Sequence, residues 1–128
     1  MTVVGLGLDL IDLDRFAALY GDDDADLLAR CFTPQELVDA GDGVDRVARL
    51  AARFAAKEAV FKALGGGGGV AHTDIEIVRT AAGAPEVRLH GAGATLAERV
   101  GVDRLTLSLT HSGAAAAAVA LATSGGPR

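Results

Sequence analysis

The 128 residues contain a single cysteine, Cys31, so neither an internal disulfide nor a cysteine-based zinc site can form. That usage fits a reducing compartment, and Cys31 is expected to do no more than pack in the core. No uninterrupted apolar run reaches the roughly 18 residues of a membrane-spanning helix. The first residues, MTVVGLGLDLIDLDR, lack a basic start and a cleavage pattern, and Asp9 would fall inside the apolar stretch of any signal peptide. A cytoplasmic protein is therefore expected. Positive charge is scarce too. With a formal net charge of −5, no general surplus of Lys and Arg is available to grip a nucleic-acid backbone.

Half of the residues are apolar, and the length suits one domain with its own core. We expect that domain over residues 1–123 and a flexible tail over 124–128, SGGPR. The few cations are unevenly placed. Arg46, Arg49, Arg53, Lys57 and Lys62 share one short segment, while Asp22, Asp23 and Asp24 form an acidic run elsewhere. An acidic protein can in this way keep a local anion site.

Residues 2–8 read as a buried strand ending at Asp9, followed by a short helix through Ile11, Phe16 and Leu19. The aspartate run supplies an N-cap cluster for a second helix over Ala25 to Arg30. Thr33-Pro34-Gln35-Glu36 starts a third, with Thr33 as cap, Pro34 at the first helical position and Glu36 at the third. DRVARLAARFAAKEAVFKAL, Asp45 to Leu64, has no Gly or Pro and repeats its apolar positions at helical spacing, which predicts one long helix. Gly65 suits a left-handed residue closing that helix, and Gly66 to Gly69 suit a loop.

Asp74 to Val78 and Glu86 to Leu89 read as paired strands around the turn Ala82-Gly83-Ala84-Pro85. A helix follows over Gly93 to Arg99. Leu105, Leu107 and Leu109 alternate with Thr106, Ser108 and Thr110, a half-buried strand that ends at His111. The alanine-rich AAAAAVALA is predicted as a hairpin partner strand, its helix propensity notwithstanding.

Glu58 and Lys62 lie four apart on the long helix and share a face. By spacing alone they are a surface ion pair worth about 0.3–0.5 kcal/mol. Asp9 by itself suits a helix cap. Lys57 is either a phosphate contact or a solvated helix lysine, and His72 and His90 read as surface loop residues.

Three strings in order change this reading: GLGLDLIDLDR (Gly5 to Arg15), RFAAKEAVFKALG (Arg53 to Gly65) and LSLTHS (Leu107 to Ser112). They resemble the three motifs of the AcpS-type 4′-phosphopantetheinyl transferases, and Phe32-Thr33-Pro34-Gln35-Glu36 is similar to that family's F-T-x-x-E segment. The likeness runs from about Val3 to Ala122. The chain departs from the family at Phe61, at His72-Thr73, where an aromatic residue is frequent, and in the five-glycine loop.

The resemblance implies an α+β fold, a small antiparallel sheet packed on the long helix, and a homotrimer with active sites between subunits. It implies transfer of the phosphopantetheine arm of coenzyme A to a serine of an apo acyl carrier protein, with Mg2+ as cofactor. It casts Asp9 and Glu58 as the magnesium carboxylates and Lys62 as the cation offsetting pyrophosphate charge. Asp9, Glu58, Lys62 and His111 form the catalytic set; Arg53, Lys62, Gly65, Thr110 and His111 contact coenzyme A; Arg15 contacts the carrier. Glu58, His111 and a hydroxide on the metal remain alternative acceptors for the serine proton. The nucleophile belongs to the carrier, which accounts for the lack of any Ser-His-Asp or Cys-His arrangement in this chain. A non-catalytic trimeric module of the same fold, binding carrier or coenzyme A, and a different coenzyme A or nucleotide enzyme are the rival readings. Whether fatty-acid, polyketide or peptide synthesis is served stays open, as does excision from a larger synthase.

Overall fold

A computed structural model describes residues 1–125, and its organising element is the long helix that the sequence predicts. This helix, α4 (Arg46–Ala63), follows β1 (Thr2–Asp12), α1 (Leu13–Tyr20), α2 (Ala25–Cys31) and α3 (Pro34–Ala40). After it come a 3-10 turn (His72–Asp74), β2 (Ile75–Arg79), β3 (Pro85–Leu89), α5 (Gly91–Val100), β4 (Arg104–His111) and β5 (Ala115–Ser124). Strands β1, β5 and β4 form one antiparallel sheet in that order, and β2 and β3 form a separate hairpin. The architecture is α+β, as expected. No helix among the described residues is long and apolar enough to cross a membrane.

The first strand corrects the sequence reading twice. It continues past Asp9 to Asp12, and within the single chain only one of its faces is covered. Gly5, Gly7, Asp9 and Ile11 share the face turned to α4, because side chains alternate along a strand. A Cβ at Gly5 or Gly7 would run into the carbonyl oxygens of Ala63 or Ala59, so only glycine lets the strand lie this close to the helix. Ala116, Ala118, Ala120 and Ala122 of β5 are buried under the same helix. The alternating face carries Leu6, Leu8 and Leu10, which are 66%, 65% and 71% exposed in the single chain. Val119 lies opposite Leu8 in the register.

Helix starts follow the local chemistry. Asp12, not Asp9, caps α1: its Oδ1 accepts from the backbone N–H of Asp14 at 2.9 Å. Asp24 caps α2, and Thr33 with Glu36 forms the reciprocal capping box of α3 with Pro34 in the first turn. At the other end of α4, Gly65 has φ +87°, and the N–H groups of Gly65 and Gly66 donate to the carbonyls of Lys62 and Phe61 at 3.0 and 2.9 Å. Two apolar clusters result. One lies between α4, α5 and the strands, and the other gathers α1, α2 and α3 on α4 around Phe16, Phe32 and Leu50. Cys31 is buried in the second, as predicted. Ser124, expected in the tail, instead pairs with Thr2 as the last residue of β5; residues 126–128 of that tail lie outside the described residues.

Candidate active site

The long helix carries two polar faces that diverge. At about 100° per residue, Glu58 and Lys62 lie about 140° and 180° around the axis from Arg53. One chain therefore splits its site residues between two places.

On the first face, Lys62 does not pair with Glu58. Its Nζ donates to Asp9 Oδ1 at 3.1 Å and to the Leu8 carbonyl at 2.9 Å, joining the first motif to the second. Glu58 Oε1 is instead 2.7 Å from His72 Nε2. The surface ion pair expected from spacing is thus replaced by two tertiary contacts. Among the described residues, Asp9 Oδ2 and Glu58 Oε2 have no hydrogen-bond partner. No cage of three or more His, Cys, Asp or Glu side chains occurs among them either. Two acidic side chains, each with one oxygen engaged and one free, suit a hard cation such as Mg2+, which keeps waters and takes further oxygens from phosphate.

On the second face, Arg49, Arg53, Arg79, Thr110 and His111 line a cavity of about 180 Å3, together with Gly83 and Pro85 of the hairpin turn. Arg53 is buried, its Nη1 donates to the Arg49 carbonyl at 3.3 Å, and its Nε has no partner. Burial holds its guanidinium below the usual range; the neighbouring Arg79 and Arg49 push the same way, against the pull of Asp39 and Glu36. A buried cation with an unused donor, set among other cations, is a strong site for an anion. Arg79 was missed by the sequence reading. Nothing in the β2 pattern distinguishes it from a solvated strand end, and only the folding of the hairpin against α4 brings it to Arg53.

Arg15 is separate from both places. It lines a groove of about 240 Å3 with Leu10, Leu19, Tyr20 and Phe54. Gly65 closes α4 one turn beyond Lys62.

Three further readings are corrected. Lys57 is neither a phosphate contact nor solvated: it is fully buried, and its Nζ donates to Glu36 Oε1, the His72 carbonyl and the Ile75 carbonyl at 2.7, 2.9 and 2.7 Å. Arg46 is not part of an open basic face, since it bonds Asp23 and the carbonyls of Leu37 and Gly41. His90 is an exposed loop residue as expected, with Nε2 3.0 Å from Glu76 Oε1, but His72 is half-buried in the 3-10 turn, where it meets Glu58 and stacks on Phe54.

The sequence pattern of the 4′-phosphopantetheinyl transferase superfamily matches residues 5–121. The chain is 44% identical over 124 residues to the holo-(acyl-carrier-protein) synthase of Frankia alni, covering 97% of this chain and 100% of that one. It is 41% identical over 128 residues to the enzyme of that name from Anaeromyxobacter dehalogenans, covering 98% and 99% of the two chains. Its fold superposes on the holo-(acyl-carrier-protein) synthase of Neisseria meningitidis with a TM-score of 0.84 at 33% identity, covering 95% of this chain and 99% of that chain. The Helicobacter pylori synthase, solved in complex with coenzyme A, superposes with a TM-score of 0.79 at 27% identity, covering 92% and 99%.

Proposed function

This chain belongs to the 4′-phosphopantetheinyl transferase superfamily, and from that membership we propose that it moves the 4′-phosphopantetheine group of coenzyme A onto a serine of an apo acyl carrier protein. The carrier's serine oxygen bonds to the phosphorus bearing pantetheine, and the bond from that phosphorus to adenosine 3′,5′-bisphosphate breaks. The hydroxyl proton is released as the new ester forms. Holo-carrier and adenosine 3′,5′-bisphosphate leave.

The observation that carries the reading is the contact of Lys62 Nζ with Asp9 Oδ1 at 3.1 Å, which sets a cation and a carboxylate from two separate motifs at one point. Phosphoryl transfer asks the protein mainly to position groups and offset charge. Lys62 supplies positive charge for the transferring phosphate and leaving group. Asp9 and Glu58 would hold Mg2+, which when bound offsets pyrophosphate charge. Arg53 and His111 receive the phosphates of the adenosine half, with Thr110 and Gly65 closing on coenzyme A. The Arg15 groove receives the carrier.

The divergence of Arg53 from Glu58 and Lys62 favours a site completed by a second copy. One chain gives Asp9, Glu58 and Lys62; its neighbour gives Arg53, Thr110 and His111. The uncovered Leu6, Leu8, Leu10 and Val119 provide an apolar sheet face for that assembly, a homotrimer in this reading. The free, buried Cys31 agrees with work in the cytoplasm.

Mass spectrometry of an apo-carrier incubated with coenzyme A and Mg2+ tests the reaction. A gain of one phosphopantetheine is expected; binding without gain would indicate a non-catalytic module. Mixing Glu58→Gln with Arg53→Ala chains tests the shared site. Mixed assemblies should regain activity, because some sites then receive both native halves, whereas a site held within one chain would recover none. Light scattering that finds a monomer would overturn the trimer.

A further inference from the structure

Glu58 is held by a histidine that belongs to none of the three motifs. His72 Nε2 lies 2.7 Å from Glu58 Oε1. An ionised carboxylate only accepts, so His72 presents Nε2–H as the donor. The residue is held from two further directions, one at the ring and one at the backbone. One face stacks on Phe54, with centroids 4.9 Å apart and planes 23° from parallel. Its backbone carbonyl accepts from Lys57 Nζ at 2.9 Å, and that lysine is anchored by its buried bond to Glu36. Among the described residues His72 is the one hydrogen-bond partner of Glu58, whose side chain would otherwise sample several rotamers.

We propose that His72 is a positioning residue for Glu58, holding the carboxylate by Oε1 so that Oε2 stays free and aimed for the divalent cation. The inference rests on the assignment of Glu58 to that cation. The buried Lys57–Glu36 pair is the footing of the arrangement, since it fixes the turn from which His72 projects. Partners that orient a metal-holding side chain in this way commonly contribute 10- to 100-fold to metal affinity or activity.

Two substitutions separate the bond from the stack. His72→Phe keeps an aromatic face for Phe54 and removes the donor; His72→Gln removes the stack and restores an N–H donor. Manganese, standing in for magnesium, is titrated into each protein with coenzyme A present and followed by electron paramagnetic resonance. Thermal unfolding and the carrier KM are measured alongside. His72→Phe should weaken manganese binding about tenfold or more and raise the Mg2+ needed for transfer. Its unfolding temperature and carrier KM should stay near those of the wild type, and His72→Gln should recover most of the metal affinity. Unchanged manganese binding in His72→Phe would overturn the proposal, as would equal losses in both variants, which would assign the effect to the stack. If the wild type itself neither binds manganese nor transfers the group, the underlying reading fails and takes the proposal with it. If the wild type does both and His72→Phe matches it, the positioning role alone fails.

Discussion

Lys57 Nζ lies 2.7 Å from Glu36 Oε1, and neither side chain reaches solvent. All three lysine donors are used, and Glu36 also accepts from the backbone N–H of Thr33 and Ile77, each at 2.8 Å. Removing one partner leaves the other charged and buried, so Lys57→Met and Glu36→Gln should each cost about 3–5 kcal/mol. The double variant should lose less than the sum. Urea unfolding at one fixed protomer concentration measures this, and additive costs would deny direct coupling.

Tyr20 is the only tyrosine, so its titration can be read without ambiguity. Burial, then the hydrogen bond to Cys31 at 3.6 Å, lifts its phenol from the ordinary 10.0 to about 12. A raised folded value means the folded chain holds the proton more tightly than the unfolded one. The resulting stability is complete below about pH 10 and is lost as pH rises from there to about 12. Absorbance of the phenolate should appear near pH 12 or at the unfolding transition, whichever comes first. Tyr20→Phe should flatten the alkaline fall in stability. Phenolate forming at pH 10 in a protein still folded would contradict the shielding that partial burial and Cys31 give the phenol.

Glu58→Gln keeps side-chain size but removes the charge of the carboxylate proposed to hold Mg2+, so activity should fall and partly return at high Mg2+ concentration. Lys62→Ala leaves both carboxylates in place. Its kcat should fall by a factor of about 100 or more, with little rescue by Mg2+, because charge on the transferring phosphate is no longer offset. Rate against Mg2+ concentration distinguishes the two. Near-wild-type curves for both would remove these residues from catalysis, and equal rescue would mean that Lys62 acts only through the metal site.

Arg15→Glu should raise the carrier KM about tenfold or more while leaving the coenzyme A KM nearly unchanged, since opposed like charges at an interface cost several kcal/mol. The groove proposed for the carrier is lined by apolar side chains together with Asp12 and Tyr20, so Arg15 is the cation among its lining residues. Raising salt should narrow the gap between the variants, because exposed charges are screened beyond about 8–10 Å. Equal changes in both KM values would take Arg15 out of the carrier site.

Local signals were legible without coordinates. The Thr33-Pro34-Glu36 start, the Gly65 stop and the Leu105-Leu107-Leu109 alternation each depend on a few adjacent residues and the hydrogen bonds they can make, so they survive any tertiary context. The alanine-rich β5 shows where that logic ends. Its propensity favours helix, and its place between β1 and β4 prevails because each strand needs partners for its N–H and C=O groups.

The sequence by itself determined the order of the elements and most of their bounds, the family, and which side chains carry charge or can accept it. Only the tertiary structure decided who meets whom. Spacing places Glu58 and Lys62 on one helix face, yet β1 gives Lys62 to Asp9, and the 3-10 turn gives Glu58 to His72. Spacing makes Lys57 one more helix cation, yet the capping box of α3 presents Glu36 to it in the core. The covered face of β1 is set by Gly5 and Gly7, where an absent side chain lets the helix approach and leaves Leu6, Leu8 and Leu10 outside. The physical reason is common to all three. Periodicity fixes the direction in which a side chain leaves its own element, whereas its partner is fixed by packing between elements far apart in the chain.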